Sequence, residues 1–347
     1  LNPSARALGS GGDVRVTTPK LILTNGGQIA VNTEGAGRAG SIQIDAGTLL
    51  VDGDSSKISA AAEGSSGQTG FVSVTANDIT LSNGGQISIE NHATVAAPSA
   101  LTPTSISVTA PRITILNSPH AITTESTGNV AAGSIGITAS EQLFLDPSGI
   151  TTTANLGNGG AIDIITGLFW LENSQIATSV RGLSGNGGNI TISAESLIMN
   201  TGFIQANTAA PNASGGLVSI TVDNLIASGG SLFLGDNTPY TYRPGVFGFN
   251  VIQAAAPTGV NGVVQISSPR LDITSSLVGF DTRLLNAQVA RRLCGNSGGS
   301  SLVPVGRGGL PLVGADYLSP GQVSGLDFIA SPVASLPAVR TSWRTDA

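Results

Sequence analysis

The sequence of 347 residues contains few of the side chains from which most proteins build catalytic centres or thick globular cores. Its single cysteine, Cys294, excludes an intrachain disulfide framework. Charged residues make up only 10% and aromatic residues only 4% of the chain. The net charge of −6 argues against a nucleic-acid partner, because phosphate binding needs a clustered cationic surface. No apolar run reaches about 18 residues, so no membrane-spanning helix is predicted.

Glycine and aliphatic residues dominate instead. The chain has 47 glycines, and its 40% apolar content consists mainly of Ile, Val, Leu and Ala. Such a composition favours many thin layers of β-branched side chains over one thick core. The opening "LNPSARALGSGG" has neither Met nor a basic-then-apolar leader, which we interpret as a processed or excised part of a longer protein.

A repeat of about 28 residues runs through most of the chain. Alternating apolar pairs recur at steps of 28, 30, 34, 29, 27, 28, 28 and 46 residues. These first anchors are Val14/Val16, Ile42/Ile44, Val72/Val74, Ile106/Val108, Ile135/Ile137, Ile162/Ile164, Ile190/Ile192, Val218/Ile220 and Val264/Ile266. A second pair follows seven residues after nearly every first anchor, with Leu143/Leu145 displaced by one. A third anchor comes 14 to 16 residues after the first, at Ile29, Ile58, Ile87, Ile122, Ile150, Ile176 and Ile204.

Each apolar-x-apolar pair places both side chains on one face of a strand. Three short strands per repeat predict one coil of a parallel β-helix, with like anchors stacked into ladders. We predict an all-β fold of about nine three-strand coils over residues 9–280. Gly and Asn between the second and third anchors, as in "NGG" (25–27) and "NGG" (83–85), suit tight corners because they tolerate left-handed backbone.

The eighth repeat is longer than the others by 18 to 20 residues. Residues 250–254 echo 202–206, so we expect the third strand there and an insertion at about 235–250. The insertion is a candidate recognition loop, because aromatic residues in loops on rigid scaffolds are common contact points. The alternative is a flap that covers an apolar flank. The candidate recognition residues are Tyr240, Tyr242, Arg243, Phe247 and Phe249.

The repeat ends near residue 280. Residues 281–295 fit one amphipathic helix, which would cap the open end of the stacked strands. The Gly- and Pro-rich remainder of 281–347 is predicted to be irregular. Arg291 and Arg292 precede Cys294, and neighbouring cations lower the pKa of a thiol. Cys294 is therefore a candidate for an intermolecular disulfide or surface tether, with an incidental thiol as the alternative.

The repeats "GGNITISAESLIMNTGFIQANT" (187–208) and "AGSIQIDAGTLLVDGDSSKISAAAEG" (39–64), with "GRGGLP" at 306–311, closely resemble cyanobacterial filamentous-haemagglutinin-like exoproteins of two-partner secretion. The resemblance covers roughly residues 9–313. It implies a right-handed parallel β-helix, export through a dedicated outer-membrane transporter, and an extracellular or outer-membrane-surface location. The family's N-terminal secretion domain has no counterpart in this sequence, so the chain resembles the C-terminal portion of such an exoprotein.

Carboxylate clusters would favour an enzyme, since polysaccharide lyases and glycosidases also occur on parallel β-helices. Glu195 and Asp223 share one offset in successive repeats and are expected within about one strand spacing of each other. A loose acidic stripe, which would suit a hard cation such as calcium, is predicted near the third corner from Glu34, Glu63, Glu90 and Glu125. We favour solvated corner residues, and we predict neither a metal nor a cofactor.

Other apparent motifs lack the context that their chemistry requires. "GAGRAG" (35–40) precedes a strand and does not open a helix, which argues against dinucleotide binding. "GNSGG" (295–299) lacks the strand–turn–helix around Ser297 that a nucleophile elbow needs. His92 and His120 occupy different offsets, so no shared metal site is expected.

The sequence therefore predicts a non-enzymatic secreted or cell-surface β-helix, acting as an adhesin or as a structural component of a surface fibre, sheath or matrix. Expected partners are the export transporter and either cell-surface polysaccharide or further copies of the chain. The alternatives are a carbohydrate-active enzyme and a self-assembling filament subunit.

Overall fold

A computed structural model describes residues 4–5, 10–35, 37–63, 68–101, 104–227, 231–245, 249–268 and 270–273. The chain separates into two units, Leu1–Leu285 and Asn286–Ala347. All of the second unit lies outside the described residues, and so do the predicted cap helix, Ser297 and Cys294. Phe247 of the insertion also lies outside them. No helix within the described ranges is long and apolar enough to cross a membrane.

The first unit is a parallel β-solenoid, which confirms the predicted fold class. Its strands are β1 (Ser4–Ala5), β2 (Val14–Leu23), β3 (Gln28–Thr33), β4 (Ile42–Asp52), β5 (Lys57–Ala62), β6 (Val72–Ser82), β7 (Gln86–Asn91), β8 (Ser105–Ser126), β9 (Ser134–Ala154), β10 (Ile162–Glu172), β11 (Gln175–Val180), β12 (Ile190–Asn200), β13 (Phe203–Thr208), β14 (Leu217–Ala227), β15 (Ser231–Leu234), β16 (Phe249–Gln253), β17 (Val263–Ser267) and β18 (Arg270–Ile273). The one helical element in the described ranges is a short 3-10 turn at Pro98–Ala100.

The predicted anchors stack in register. In the first ladder, each anchor pairs with its equivalent one turn away, from Val14 with Ile42 to Val218 with Val264. About seven turns are regular, the eighth carries the insertion, and the ninth is described through Ile273. Isoleucine forms the third ladder from Ile29 to Ile204, and most of these side chains are wholly buried. Full burial of one such side chain stabilises a protein by about 1.5–3 kcal/mol, so the ladders hold the turns together.

The displaced anchor in the fifth repeat has a local cause. The pairing of β9 with β10 shifts by one residue between Thr166 and Leu168, where turn five contains one residue more than turn six. Leu143 and Leu145 then return to the second ladder opposite Phe169 and Leu171. The extra residue is accommodated at the corner, so the buried ladder is not interrupted.

The corners match their predicted chemistry at several turns. Asn25, Asn83, Asn117 and Asn173 all adopt positive φ between 42° and 53°. This left-handed conformation is costly for most residues and tolerated by Asn. At Gly188 the corner requires glycine because of close contact between turns. An added Cβ there would lie 2.0 Å from the carbonyl oxygen of Gly160 in the preceding turn. Small corner residues thus let successive turns approach at strand spacing.

Buried threonines close the third corner, a feature that the repeat pattern does not predict. Thr124, Thr152 and Thr178 follow the third anchor, and their hydroxyls donate to glycine carbonyls across the corner at 2.6–2.9 Å. Each bond satisfies a polar side chain inside the solenoid, since an unpaired buried hydroxyl would be destabilising. The third strands are consequently held in place from the inside, which leaves their outward side chains to form a surface.

Candidate functional site

The insertion in the eighth turn enters and leaves as predicted. Phe203, Ile204 and Gln205 of β13 pair with Val251, Ile252 and Gln253 of β16, so 250–254 does continue the third ladder. The preceding strand β15 pairs with β16 on its other side. The described residues between them, 235–245, leave the solenoid and fold along its third face.

Aromatic side chains anchor this insertion. Phe249 contacts Phe203, Phe233 and Tyr240 at ring-centroid distances of 5.0–5.5 Å. Tyr242 packs edge-on against Phe203 at 5.4 Å, and Phe203 is wholly buried. Such ring pairs stabilise beyond their buried area. Tyr242 and Phe249 therefore cover an apolar flank, as the flap interpretation predicts.

The phenol of Tyr242 is a structural group. Its hydroxyl donates to the backbone carbonyl of Asn173 in turn six. Burial, reinforced by the nearby carboxylate of Asp146, raises the pKa of Tyr242 to about 12. Arg243, by contrast, is exposed. The insertion is thus tied to the regular turns by Tyr242 while Arg243 faces solvent.

Two glutamines bind the backbone of the insertion. Gln205 donates from Nε2 to the carbonyl oxygen of Tyr240 at 2.8 Å and to Oε1 of Gln253 at 3.2 Å. Gln253 in turn donates to the carbonyl of Thr238 at 2.7 Å and accepts from the backbone N–H of Tyr240 at 3.1 Å. Both glutamines are almost wholly buried. They fix the segment around Tyr240 over the outer face of turns seven and eight.

A groove of about 660 Å³ lies on the third face between this segment and turn four. Only Ala177 among its lining residues lacks a polar side chain. The lining comprises His120, Thr123, Glu125, Thr151, Thr153, Gln175, Ala177, Thr178, Ser179, Arg181, Gln205, Asn207, Tyr240 and Thr241. Repeated hydroxyl and amide groups make it a polar surface, built mainly from the outward positions of the third strands.

The groove side chains form two rows that follow the stacking direction. In the first row, Thr123, Thr151, Ala177 and Gln205 are register partners in four successive turns. In the second, Glu125, Thr153, Ser179 and Asn207 are register partners in the same turns. Neighbouring hydroxyls bond to each other within these rows, Thr123 with Thr151 at 3.2 Å and Thr153 with Ser179 at 3.3 Å. Each hydroxyl keeps further donor or acceptor capacity for a ligand.

The groove contains one carboxylate and one guanidinium among its described residues. Glu125 lies in turn four, and Arg181 follows β11 in turn six. Strand geometry places their Cα atoms roughly 12 Å apart. Within the described part of the chain, neither side chain has an ion-pair or hydrogen-bond partner. Both charges therefore remain available to a ligand, at well-separated points.

The residues of the predicted loose acidic stripe are divided between two rows at the third corner. Glu90 and Glu125 are register partners, but Glu63 lies beside His92 in the adjacent row at the corner. His92 Nε2 is 3.9 Å from Glu63 and 4.0 Å from Glu90, and its Nδ1 bonds to Thr127 at 2.8 Å. The described residues contain no cluster of three His, Cys, Asp or Glu side chains arranged to hold a metal.

The remaining sequence candidates lie elsewhere. Glu195 and Asp223 are exposed at the bend between the first and second strands of turns seven and eight, and neither lines the groove. Residues 38–40 of "GAGRAG" lead into the strand β4, with Arg38 bridged to Gln68. His120 lines the groove and His92 does not, so the structure does not bring the two histidines together.

No protein-family model matches the chain, and neither a curated protein nor a solved structure is significantly similar to it. Functional inference therefore rests on the groove itself. Of its lining residues, the sequence marks Tyr240, Glu125 and His120 as candidates, but not the rows of hydroxyl and amide groups. The signal that marks the rows is the recurrence of Thr, Ser, Asn or Gln one and three residues after the third anchor, which Glu125 and Ala177 interrupt.

Proposed function

We propose that this protein is a non-enzymatic secreted or cell-surface β-solenoid that acts as an adhesin or as a structural component of a surface fibre, sheath or matrix. The observation that carries the proposal is the polar groove on the third face, which is lined by side chains of four stacked turns and one wall loop. Polar side chains held in place before a ligand arrives lose little conformational entropy on binding, so the groove is suited to recognition.

The composition of the groove supports binding to polysaccharide. Hydroxyl and amide groups can both donate and accept hydrogen bonds, as the hydroxyls of a sugar do. Glycoside hydrolysis, in contrast, ordinarily uses two carboxyl groups on either side of the scissile bond. Among the described lining residues Glu125 is the one carboxylate, which favours binding over cleavage.

The solenoid architecture supports export through an outer-membrane transporter. Each regular turn contacts mainly the turn before it and the turn after it. For example, β4 pairs with β6, and β10 pairs with β12. Such a chain can fold turn by turn as it emerges from a pore. We therefore retain the transporter as the proposed partner during secretion.

Surface location and binding can be tested together. Quantitative mass spectrometry should find the protein in cell-surface and extracellular fractions, and the purified solenoid should bind to polysaccharide from that surface without releasing sugar. Confinement of the protein to the cytoplasm would contradict the proposal. So would failure to bind any surface polysaccharide under conditions where its β-sheet circular-dichroism spectrum is intact.

A carbohydrate-active enzyme is the second candidate, because Glu125 lies in the groove with His120 and Arg181. Incubation with a polysaccharide panel distinguishes the two functions. Release of reducing ends or unsaturated products that disappears in Glu125→Gln, but persists in the exposed-site control Glu195→Gln, would establish the enzyme and overturn the adhesin proposal.

A further inference from the structure

We infer that the ligand of the groove is an uncharged linear polysaccharide that lies parallel to the stacking direction of the turns and occupies about four sugar units. This inference rests on the proposed function and specifies the ligand class and its orientation. It depends on three features of the described residues: the spacing of the two polar rows, the distribution of charge, and the wall formed by the insertion.

The row spacing favours a chain of repeating sugars along the axis. Register partners in parallel strands are about 4.8 Å apart, which is comparable to the length of one sugar unit in an extended glycan. A chain along the axis therefore meets an equivalent polar side chain at each sugar, in turn from Glu125 through Thr153 and Ser179 to Asn207. A chain lying along one strand, perpendicular to the axis, would cross each row only once.

The charge distribution disfavours a polyanion. The turn-four end of the groove carries Glu125, with its register partner Glu90 one turn away and Glu63 within 3.9 Å of His92. Like charges close to this end would repel a chain with a carboxylate or sulfate on each sugar. Arg181 is the one guanidinium among the described lining residues, and it cannot offset this repulsion along the full length of the groove. A neutral polyhydroxyl chain avoids this repulsion and uses both charged residues as hydrogen-bond partners.

The insertion sets where the chain stops. Gln205 and Gln253 are occupied by the backbone of residues 238–240, so the first polar row is covered beyond Ala177. Tyr240 lines the groove at this end, while contacts at 5.0 Å to Phe233 and 5.5 Å to Phe249 hold its ring. The second row continues from Glu125 in turn four to Asn207 in turn seven. It spans three spacings, roughly 14 Å, which fits about four sugars.

Removal of two groove hydroxyls tests the binding mode. The variant T151V/T153V keeps β-branched side chains but loses one hydroxyl from each row. The matched control is T138V/T191V, because Thr138 and Thr191 are exposed threonines on the first strands of turns five and seven. Calorimetric titration with neutral glucans, mannans and galactans should show binding that weakens at least about tenfold in T151V/T153V and is unchanged in the control.

Chain length and charge test the ligand class. With oligosaccharides of the neutral glycan that binds best, affinity should rise up to about four units and then level off. A polyuronate or sulfated glycan could bind as tightly as the neutral glycan or more tightly, and its binding could be weakened by T151V/T153V. That result would overturn the uncharged ligand class but leave the adhesin proposal standing. Glycan binding insensitive to T151V/T153V would refute this groove as the site. If no glycan of any charge binds to the folded protein, the proposed function fails as well.

Discussion

The regular turns and the interrupted eighth turn show two ways of making a stable structure from one strand pattern. Between Val14 and Thr208, the buried anchors pack against their equivalents in the adjacent turns. In the eighth turn, Tyr242 and Phe249 instead make specific contacts with Phe203, and Tyr242 also bonds to Asn173. Phe233 and Tyr240 pack against Phe249. The repeated contacts between anchors stabilise the regular turns. The specific contacts of the eighth turn position the insertion beside them.

The largest expected effect comes from a regular turn. Ile150→Ala leaves a cavity in the third ladder, where Ile150 is wholly buried between Ile122 and Ile176. We expect a loss of about 2–5 kcal/mol in the free energy of unfolding, measured by urea denaturation. Ile165→Ala is the control, because that side chain is 59% exposed on the outside of β10, and should change stability by less than about 0.5 kcal/mol. Equal losses for the two variants would show that the ladder is not the source of stability.

An intermediate effect, confined to the insertion, is expected from Gln253→Met. The substitution removes the bonds to Thr238 and Tyr240 and the bond accepted from Gln205, which keeps its bond to the carbonyl of Tyr240. The partly buried backbone groups of the insertion lose these partners, which costs about 1–3 kcal/mol locally. Hydrogen exchange of residues 236–245 should accelerate, while that of β11 stays unchanged. Gln43→Met, on the exposed face of β4, is the matched control and should alter neither segment. If exchange accelerates along the regular turns too, the two regions are not separable as we describe them.

The smallest expected effect is the pH dependence of Tyr242. Its pKa is raised in the folded protein from 10.0 to about 12, so between these values the unfolded chain has lost the phenolic proton and the folded chain retains it. The stabilising contribution of Tyr242 is therefore complete below pH 10 and disappears as the pH rises toward 12. The free energies of unfolding of the wild type and Tyr242→Phe, measured by denaturation at each pH, should differ below pH 10 and converge as the pH rises toward 12. A constant difference across that window would show that the phenol is not buried against Asn173.

Much of the fold follows from the sequence because its strongest signal is periodic. A solenoid turn needs apolar side chains at fixed intervals, so the spacing of Ile29, Ile58 and Ile87 is enough to indicate that they stack on one another. The same logic located the third strand of the eighth turn, since residues 250–254 repeat the pattern of 202–206 on both sides of the insertion.

The candidate site follows from the sequence only in part. The prediction drew attention to Tyr240 because aromatic residues are rare here, but Tyr242 and Phe249 serve mainly as anchors. Thr151, Thr153 and Ser179 escaped notice because a Thr or Ser on an outward strand position is ordinary in any soluble β-protein. Their alignment into rows depends on which turns are neighbours and on the one-residue shift in turn five.

Hydrophobic periodicity by itself determined that this chain stacks its strands in parallel turns, because only that arrangement buries every anchor against its equivalent. Tertiary structure alone decided that Gln205 and Gln253 hold the insertion over the third face, and that Glu125 and Arg181 share one groove. Burial depends on local pattern, which a sequence displays directly. A binding surface depends on side chains from four turns and a loop meeting in space, and their distances are set by the register of the whole stack.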